Sequence, residues 1–172
     1  MFKNKRGFTL IELLVVIAII GVLASIVLAS LNNARRKSRD ARRITDIKQI
    51  QLALELYLDG AGSGQYPASN TTCDGTDSLG LQPLVTGSYI PVIPRDPTNA
   101  ATCYQYADGV IDGDIKNYHL GAVLEDVQNQ ALGGDKDCDS TDNAPVCNSD
   151  ATFTNGFDAS DDATNRIFDV GP

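Results

Sequence analysis

The sequence predicts an α+β fold, in which one long N-terminal helix packs on a small antiparallel β-sheet. Residues 8–58 contain no proline, so nothing in them forces a break in a helix. Two later segments, 102–107 and 118–124, are rich in β-forming residues and are separated by Asp-Gly dipeptides, which is typical of a hairpin. Residues 60–100 lie between the helix and these strands and contain five prolines. They predict an irregular connection, which we call the αβ-loop.

Residues 8–31 form an apolar segment that is long enough to cross a membrane as a helix. At about 1.5 Å per residue the segment spans roughly 36 Å, against a bilayer core of about 30 Å. Its apolar side chains cover every face of the helix, so we expect it to be buried in lipid or in other protein. Lys3, Lys5 and Arg6 precede it and predict an N-terminus on the cytoplasmic side.

Glu12 is the only ionisable residue of this apolar segment. A carboxylate at the centre of a membrane helix costs about 2.5–3.5 kcal/mol on insertion scales. One interpretation is that Glu12 lies about a turn inside the lipid and reaches up to the headgroups. The other is that a cation, supplied by another molecule, meets it within the apolar layer.

An ordinary secretory signal is an alternative interpretation of the same segment. Cleavage after Ala29 would then leave Ser30 as the first residue. The apolar core of such signals is roughly 7–15 residues long, so the length of residues 8–31 and the presence of Glu12 argue against it.

Residues 32–59 predict an amphipathic continuation of the helix, because apolar residues recur every three or four positions. The predicted buried stripe consists of Ala41, Ile44, Ile47, Ile50 or Gln51, Leu54 and Leu58. The polar residues predicted to lie off it are Arg42, Arg43, Asp46, Lys48, Gln49 and Glu55. The glycines that follow Asp59 predict the helix end.

The residues from Lys5 to Glu12 read Lys-Arg-Gly-Phe-Thr-Leu-Ile-Glu and are followed by an unbroken apolar run. This pattern resembles the signal of type IV pilins and of type II secretion pseudopilins, with weaker similarity extending to about residue 106. The resemblance implies a type IV pilin-like form of the α+β fold. It also implies that a prepilin peptidase cuts between Gly7 and Phe8 and methylates the new amine of Phe8.

The same resemblance implies a role for Glu12, which would pair with the Phe8 amine of a neighbouring subunit in a helical filament. Residues 1–7 would be the leader, 8–31 the membrane and filament-core half-helix, 32–59 the amphipathic half-helix and 60–172 the exported domain. The implied protein is a structural pilin that inner-membrane machinery assembles, not an enzyme. The alternatives are a type II secretion pseudopilin and a single-pass anchored binding domain that never polymerises.

The implied location follows from the same family. The precursor would be a single-pass protein of the inner membrane with its N-terminus inside and its C-terminus outside, and the product an extracellular filament. The basic run from Arg35 to Arg43 works against this orientation by charge bias. It is interpreted either as a solvated helix face near anionic headgroups or as a contact for acidic surfaces of neighbouring subunits.

Charge divides the chain into two parts. Residues 1–48 carry ten Lys and Arg against three acids, whereas residues 49–172 carry four against nineteen. So acidic an outer domain predicts no bulk binding of nucleic acid, which depends on Lys and Arg meeting phosphates.

The four cysteines all follow the apolar segment and predict two disulfides, for which three pairings exist. We favour Cys73–Cys103 and Cys138–Cys147, because each closes a segment that is poor in apolar residues.

Acidic residues cluster in the segment 133–150 at Asp135, Asp137, Asp139 and Asp142. Calcium takes six to eight oxygen ligands, so the cluster is a candidate Ca²⁺ site, although the EF-hand pattern is not met. The alternative is a solvated, disulfide-closed loop. Major pseudopilins carry a calcium loop just after the second strand, and residues 120–125 do not reproduce it. This difference favours a pilin or a minor relative.

Three further expectations concern single elements. His119, the only histidine, is predicted to be a cross-strand or surface residue and not a ligand. A short helix is expected around residues 78–85, and residues 167–170 are expected to form a last edge strand. The sequence contains no phosphate-binding loop, nucleophile elbow or HExxH motif.

Overall fold

The computed structural model describes residues 8–60, 64–74, 77–99, 101–141, 147, 151–161 and 165–172. The chain divides into two units, Met1–Lys37 and Ser38–Pro172. Its elements are α1 (Leu10–Asp59), α2 (Gln82–Thr86), β1 (Gln105–Ile111), β2 (Asp114–Val123), a 3₁₀ turn (Leu132–Gly134), β3 (Thr152–Thr154) and β4 (Ile167–Val170). The four strands form one antiparallel sheet in the order β3-β1-β2-β4. The predicted α+β class, with a long N-terminal helix and a small antiparallel sheet, is confirmed.

The first unit contains the apolar part of α1. Every side chain described from residue 8 to residue 37 is exposed, and Phe8 has 87% of its surface open. By length and composition α1 is capable of crossing a membrane. Apolar side chains that face outward on all sides of a helix need lipid or another protein to cover them.

The second unit has a core of its own, built where the amphipathic half of α1 meets the αβ-loop and the sheet. Ile47, Ile50 and Leu54 of α1 are fully buried. The αβ-loop contributes Leu81, Leu84, Ile90 and Ile93, and the sheet region contributes Tyr106, Tyr118, Leu120 and Phe168. Burying a side chain of this size stabilises the fold by about 1.5–3 kcal/mol. The prolines of the αβ-loop therefore do not prevent it from packing, since its apolar residues hold it on the helix.

The buried stripe of α1 differs from the predicted stripe, and it also includes Asp40 and Ala53. Ala41 is exposed, whereas Arg43 and Asp46, which were predicted to lie off the stripe, are buried. The prediction was wrong because both charged side chains find partners inside the domain. Asp46 accepts a hydrogen bond of 2.7 Å from the hydroxyl of Tyr104.

Arg43 is bonded to three carboxylates that come from separate parts of the chain. Its Nη1 lies 2.7 Å from Asp40 Oδ1 and 2.8 Å from Glu125 Oε1, and its Nε lies 2.7 Å from Asp96 Oδ2. Arg39 adds a two-pronged contact to Glu125, with distances of 2.7 and 2.5 Å. We call these five residues the Arg43 hub. It joins α1 to the αβ-loop and to the segment that follows β2.

The hub also corrects the interpretation of the basic run as a solvated helix face. Arg39 and Arg43 form ion pairs with acidic residues of their own domain, so that interpretation was wrong for these two residues. The Asp40 carboxylate accepts backbone N–H groups at 2.9 Å from both Glu125 and Asp126, which fixes the chain direction after β2.

Ionisation of the hub acids follows from these contacts. Hydrogen bonds from Arg39 and then Arg43 outweigh burial and lower the pKa of Glu125 from 4.5 to about 2. Burial alone would raise the pKa of Asp96, but hydrogen bonds from Arg43 and Thr98 lower it to about 2. Both carboxylates therefore stay ionised, and the stability they contribute is lost only in acid.

The β1–β2 hairpin uses only the second of the two Asp-Gly signals that the sequence predicted for its turn. Asp108 and Gly109, expected in the turn, lie inside β1, and the turn falls at Asp112 and Gly113, with φ angles of 54° and 87°. The prediction failed because the buried Asp108 carboxylate accepts hydrogen bonds from Ser69, including one of 2.8 Å from its backbone N–H. β1 accordingly covers 105–111 instead of 102–107, and β2 begins at Asp114 instead of Tyr118.

Helix α2 and strand β4 lie close to the positions that the sequence predicted. Helix α2 covers Gln82–Thr86, later than the expected 78–85, and Pro83 stands at its start, a position that suits proline. The expected edge strand is confirmed as β4, which pairs with β2 through Ala122 and Phe168 among other residues.

We predict that Glu125→Gln lowers the free energy of unfolding at pH 7 by about 1–3 kcal/mol, because Arg43 and Arg39 lose a charged acceptor. The dependence of the free energy of unfolding on pH in acid should also change. The wild type should lose stability as the pH falls from 4.5 towards 2, and this loss should be shallower in the variant. Urea unfolding of the full chain in detergent micelles at several pH values measures both.

The matched control for this variant is Asp114→Asn, which removes an acid that pairs with Lys116 at 2.9 Å, both side chains being nearly half exposed. We expect its stability to change by less than about 0.5 kcal/mol. Equal effects of the two substitutions would contradict a special role for the hub.

Candidate functional site

The start of α1 carries the residues that the sequence analysis selected for processing and assembly. Gly7 lies outside the described residues, and Phe8 is the first residue described. Thr9 precedes the helix, and its backbone N–H and hydroxyl donate to Glu12 Oε2 at 2.8 and 2.7 Å. The backbone N–H of Glu12 in turn lies 3.3 Å from the Thr9 hydroxyl oxygen. This reciprocal arrangement is a capping box.

The capping box gives Glu12 a defined place at the beginning of the apolar segment. A carboxylate in the first turn is favoured there, because the free N–H groups of a helix start carry partial positive charge. Around it, Leu10, Ile11 and Leu13 are more than half exposed. The segment thus presents one anionic group near its end, within a surface that is otherwise apolar.

The structure joins the four cysteines in two disulfides, Cys73–Cys103 and Cys138–Cys147. The first joins Cys73, within the αβ-loop, to Cys103, which lies after that loop and two residues before β1. The second closes the acidic segment that follows the 3₁₀ turn, and Cys138 is buried with 1% of its surface exposed.

A second group of functional side chains lies around His119, which is completely buried. Its Nδ1 lies 2.8 Å from Ser140 Oγ, and its Nε2 lies 2.9 Å from Asp169 Oδ2. The imidazole stacks on the ring of Phe157, with centroids 3.7 Å apart. We call these four residues the His119 centre. Of the two predicted places for His119, the cross-strand position is confirmed, opposite Ala107, and the surface position is wrong.

Asp169 anchors this centre through its backbone contacts. Its carboxylate accepts N–H groups of Lys136, Asp137 and Cys138 at 3.0–3.2 Å, in addition to the imidazole. A carboxylate in such surroundings acts as an acceptor, so the proton shared with His119 is assigned to Nε2. Nδ1 of His119 is then the unprotonated nitrogen, and it faces the Ser140 hydroxyl.

Serine, histidine and aspartate in hydrogen-bonding order suggest a nucleophilic triad, but the surroundings do not suit catalysis. Ser140, His119 and Asp169 have at most 2% of their surfaces exposed. The Ser140 hydroxyl is also engaged by the backbone of Phe157, accepting from its N–H at 2.9 Å and lying 3.0 Å from its C=O. A substrate would have to displace both Phe157 contacts to reach the oxygen.

Sequence reasoning missed this centre because its members lie 21 and 50 residues from His119 along the chain. One signal for the centre was present in the sequence, namely a histidine within a β-forming segment. If such a histidine points into the core, both ring nitrogens need hydrogen-bonding partners there. The identity of those partners depends on how β4 pairs with β2.

The proposed calcium ligands are only partly described, because Asp142 lies outside the described residues. Asp139 Oδ1 accepts hydrogen bonds from Thr141, and Asp135 Oδ2 accepts one from the N–H of Asp169 at 3.3 Å. Asp137 is exposed and has a positive φ of 49°. Within the described residues these aspartates do not form a cluster of ligand atoms. Calcium binding stays a prediction.

Comparison with known proteins finds one matching family and two groups of relatives. The family described as the prokaryotic N-terminal methylation motif matches residues 2–28. The type II secretion system core protein G of Vibrio cholerae is 34% identical over 128 residues, which are 70% of this chain and 82% of the relative. That of Escherichia coli is 39% identical over 103 residues, covering 55% and 67%.

A relative of another kind aligns over more of the chain. The type IV major fimbrial protein FimA of Dichelobacter nodosus is 31% identical over 149 residues, which are 82% of this chain and 90% of the relative. No solved structure gives a significant match to the chain.

For the His119 centre we predict that Asp169→Asn lowers the free energy of unfolding by about 2–4 kcal/mol. The amide keeps the shape of the carboxylate but loses its charge and cannot accept all four donors. Urea unfolding of the full chain in detergent micelles measures the change. Asp112→Asn is the control, because this exposed turn residue has φ of 54°, which asparagine tolerates. A loss below about 0.5 kcal/mol for Asp169→Asn would contradict the assigned role.

Proposed function

Because this chain belongs to the family of type IV pilins and type II secretion pseudopilins, we propose that it is the structural subunit of a type IV pilus. Before assembly, residues 8–31 hold each subunit in the inner membrane. On assembly these segments pack together in the core of a helical filament. The outward domain, residues 60–172, forms the filament surface. The proposed role is structural.

The observation that carries this proposal is that every side chain described in the apolar segment of α1 is exposed. A helical segment whose apolar side chains are all exposed needs a cover. Lipid supplies it before assembly, and other copies of the same segment supply it afterwards. Each pair of apolar atoms in contact contributes only about 0.1–0.2 kcal/mol, but some 20 residues make many such contacts.

In this proposal a prepilin peptidase removes residues 1–7 and methylates the amine of Phe8, which becomes the N-terminus. Glu12, held by Thr9, then receives the cationic Phe8 amine of a neighbouring subunit. Opposite charges attract far more strongly in a dry, low-dielectric layer than in water. A register that leaves either charge unpaired is penalised, so the pair selects the axial position of each incoming copy.

The pseudopilus of a type II secretion system is the second candidate, favoured by the relatives named core protein G. The longer alignment with a fimbrial protein favours the pilus. Deleting the gene separates the two. Loss of surface filaments supports the pilus, whereas loss of protein secretion with filaments unchanged supports the pseudopilus.

We predict that the mature protein begins at Phe8 and that its amine carries one added methyl group. Intact mass and N-terminal sequencing of the membrane-extracted chain measure both. A mature N-terminus at Ser30 would identify an ordinary secretory signal and would overturn the filament proposal, because cleavage there removes both Phe8 and Glu12.

We predict that Glu12→Ala reduces surface filaments at least tenfold, because the incoming amine loses its partner in the apolar layer. Electron microscopy and quantification of sheared filaments measure the loss. The variant should still be cleaved before Phe8, and its domain should keep the unfolding curve of the wild type.

The control is Ser25→Ala, which removes a polar group of the same apolar segment whose hydroxyl bonds only the local carbonyl of Val22, at 2.7 Å. It should assemble normally. Normal assembly of Glu12→Ala would refute the role of the pair. Absence of filaments in the wild type would instead support an anchored, non-polymerising domain.

A further inference from the structure

The basic run that follows the apolar segment is divided between two environments. Arg39 and Arg43 form ion pairs with acids of the globular unit. Arg35, Arg36 and Lys37 belong to the first unit, and all three side chains are exposed. We call these three residues the basic collar. They place three positive charges just beyond the end of the apolar segment of α1.

The side chains of the basic collar start at one level of the helix and point in different directions. At about 1.5 Å per residue, Arg35 and Lys37 differ in height by only about 3 Å. Successive residues turn by about 100° around the helix axis, so the collar covers about 200° of the circumference. The three charges therefore form part of a ring around the helix and not a stripe along one face.

This ring lies where a membrane-spanning α1 leaves the apolar core of the bilayer. The apolar segment ends at Leu31, and the next large apolar residue of α1 is Ile44. Arg35 and Lys37 lie about 6 and 9 Å beyond Leu31 along the axis. The headgroup region is about 5–7.5 Å thick on each side of the bilayer core. Long basic side chains reach along the helix into that region, with their apolar stems against the lipid and their charged ends among the headgroups.

We propose that the basic collar binds the phosphate groups of anionic phospholipids in the leaflet from which α1 emerges. Two of its three members are arginines, whose planar guanidinium groups match phosphate with paired hydrogen bonds. An anionic lipid surface favours the binding of each nearby Lys or Arg by a factor of about five. This inference rests on the proposed function only because that function places residues 8–31 in a membrane before assembly.

The charge and the shape of the collar favour lipid phosphates over an acidic protein surface. No acidic residue lies between Glu12 and Asp40 in the sequence, and Asp40 is bonded to Arg43 at 2.7 Å. Like charges at one level repel one another, and anions placed around them relieve this repulsion. Headgroups surround a membrane helix and meet all three side chains, whereas a neighbouring subunit approaches from one side.

Binding of phosphates also answers the conflict between the basic run and the orientation of α1. Basic residues at this end of the segment work against its export by charge bias. Once the end has crossed, anionic headgroups neutralise the collar and fix the depth of the helix in the bilayer. A subunit that enters a filament must give up these phosphates, so the collar holds it in the membrane until assembly.

The test places single copies of the full chain in nanodiscs made of equal amounts of phosphatidylcholine and phosphatidylglycerol. The chain contains no tryptophan, so Leu31→Trp supplies one fluorescent reporter beside the collar. Lipids brominated in the upper acyl chain quench tryptophan only at short range, so the reporter senses the lipids at this end of the helix. We expect brominated phosphatidylglycerol to be enriched there about threefold or more over brominated phosphatidylcholine, and the enrichment to fall as the salt concentration rises. Equal quenching by the two lipids would overturn the proposal.

Neutral variants assign the lipid preference to particular side chains. Arg35→Gln, Arg36→Gln and Lys37→Gln, combined in one chain with the reporter, should abolish the enrichment. The matched control removes the same charge from three exposed lysines of the globular unit, by Lys48→Gln, Lys116→Gln and Lys136→Gln. It should retain the enrichment. Enrichment that survives in the collar variant, or that is lost in both variants, would overturn the assignment.

A parallel count of surface filaments separates this proposal from the filament proposal. Nanodiscs with one copy each contain no filament, so the lipid preference is measured whether or not the chain polymerises. Loss of filaments in the collar variant, together with equal quenching by the two lipids in the unsubstituted collar, would overturn lipid binding. It would assign the collar to acidic surfaces of neighbouring subunits.

Discussion

Arg43 is the side chain on which the separate parts of the globular unit converge. Only 4% of its side chain is exposed, and it meets one acid from its own helix, one from the αβ-loop and one from the segment after β2. An uncompensated charge in such a position would cost several kcal/mol. The three carboxylates must therefore be in place for the unit to fold around this face of the helix. The hub ties the irregular loop and the sheet to α1 at one point, where apolar packing alone would allow sliding.

The hub also shows which features the sequence could predict and which it could not. The long N-terminal helix and the edge strand β4 depend on spacing within a few residues, and both were predicted correctly. Arg43 looked like a surface residue because its partners Asp96 and Glu125 lie 53 and 82 residues away. Local spacing contains no information on such partners, and a buried arginine is rare enough that its exposure is the sound expectation.

Sequence reasoning misplaced the hairpin turn and missed the His119 centre for the same physical reason. Asp-Gly is a good turn signal, and the chain offers it at Asp108 and again at Asp112. Ser69, from the αβ-loop, selects between them because it occupies the Asp108 carboxylate. His119 likewise obtains its role from Asp169, which reaches it only after β4 has paired with β2. In each case the place of a polar side chain depends on a partner that is distant in the sequence. The local sequence pattern therefore does not determine the structure by itself.

The two acids that matter most are held in opposite ways, and this difference fits their proposed roles. Asp169 accepts four hydrogen bonds in a buried place, so its environment is complete within one chain. Glu12 accepts from Thr9, while the apolar side chains beside it are exposed. Each local hydrogen bond contributes about 0.5–1.5 kcal/mol, which lowers the cost of holding a carboxylate among apolar groups without cancelling its charge. In the proposed assembly a cationic amine from a neighbour supplies what Thr9 cannot, namely the opposite charge. An acid that is held but not neutralised keeps a strong preference for that partner, and this preference allows a helix with no polar pattern to choose a register.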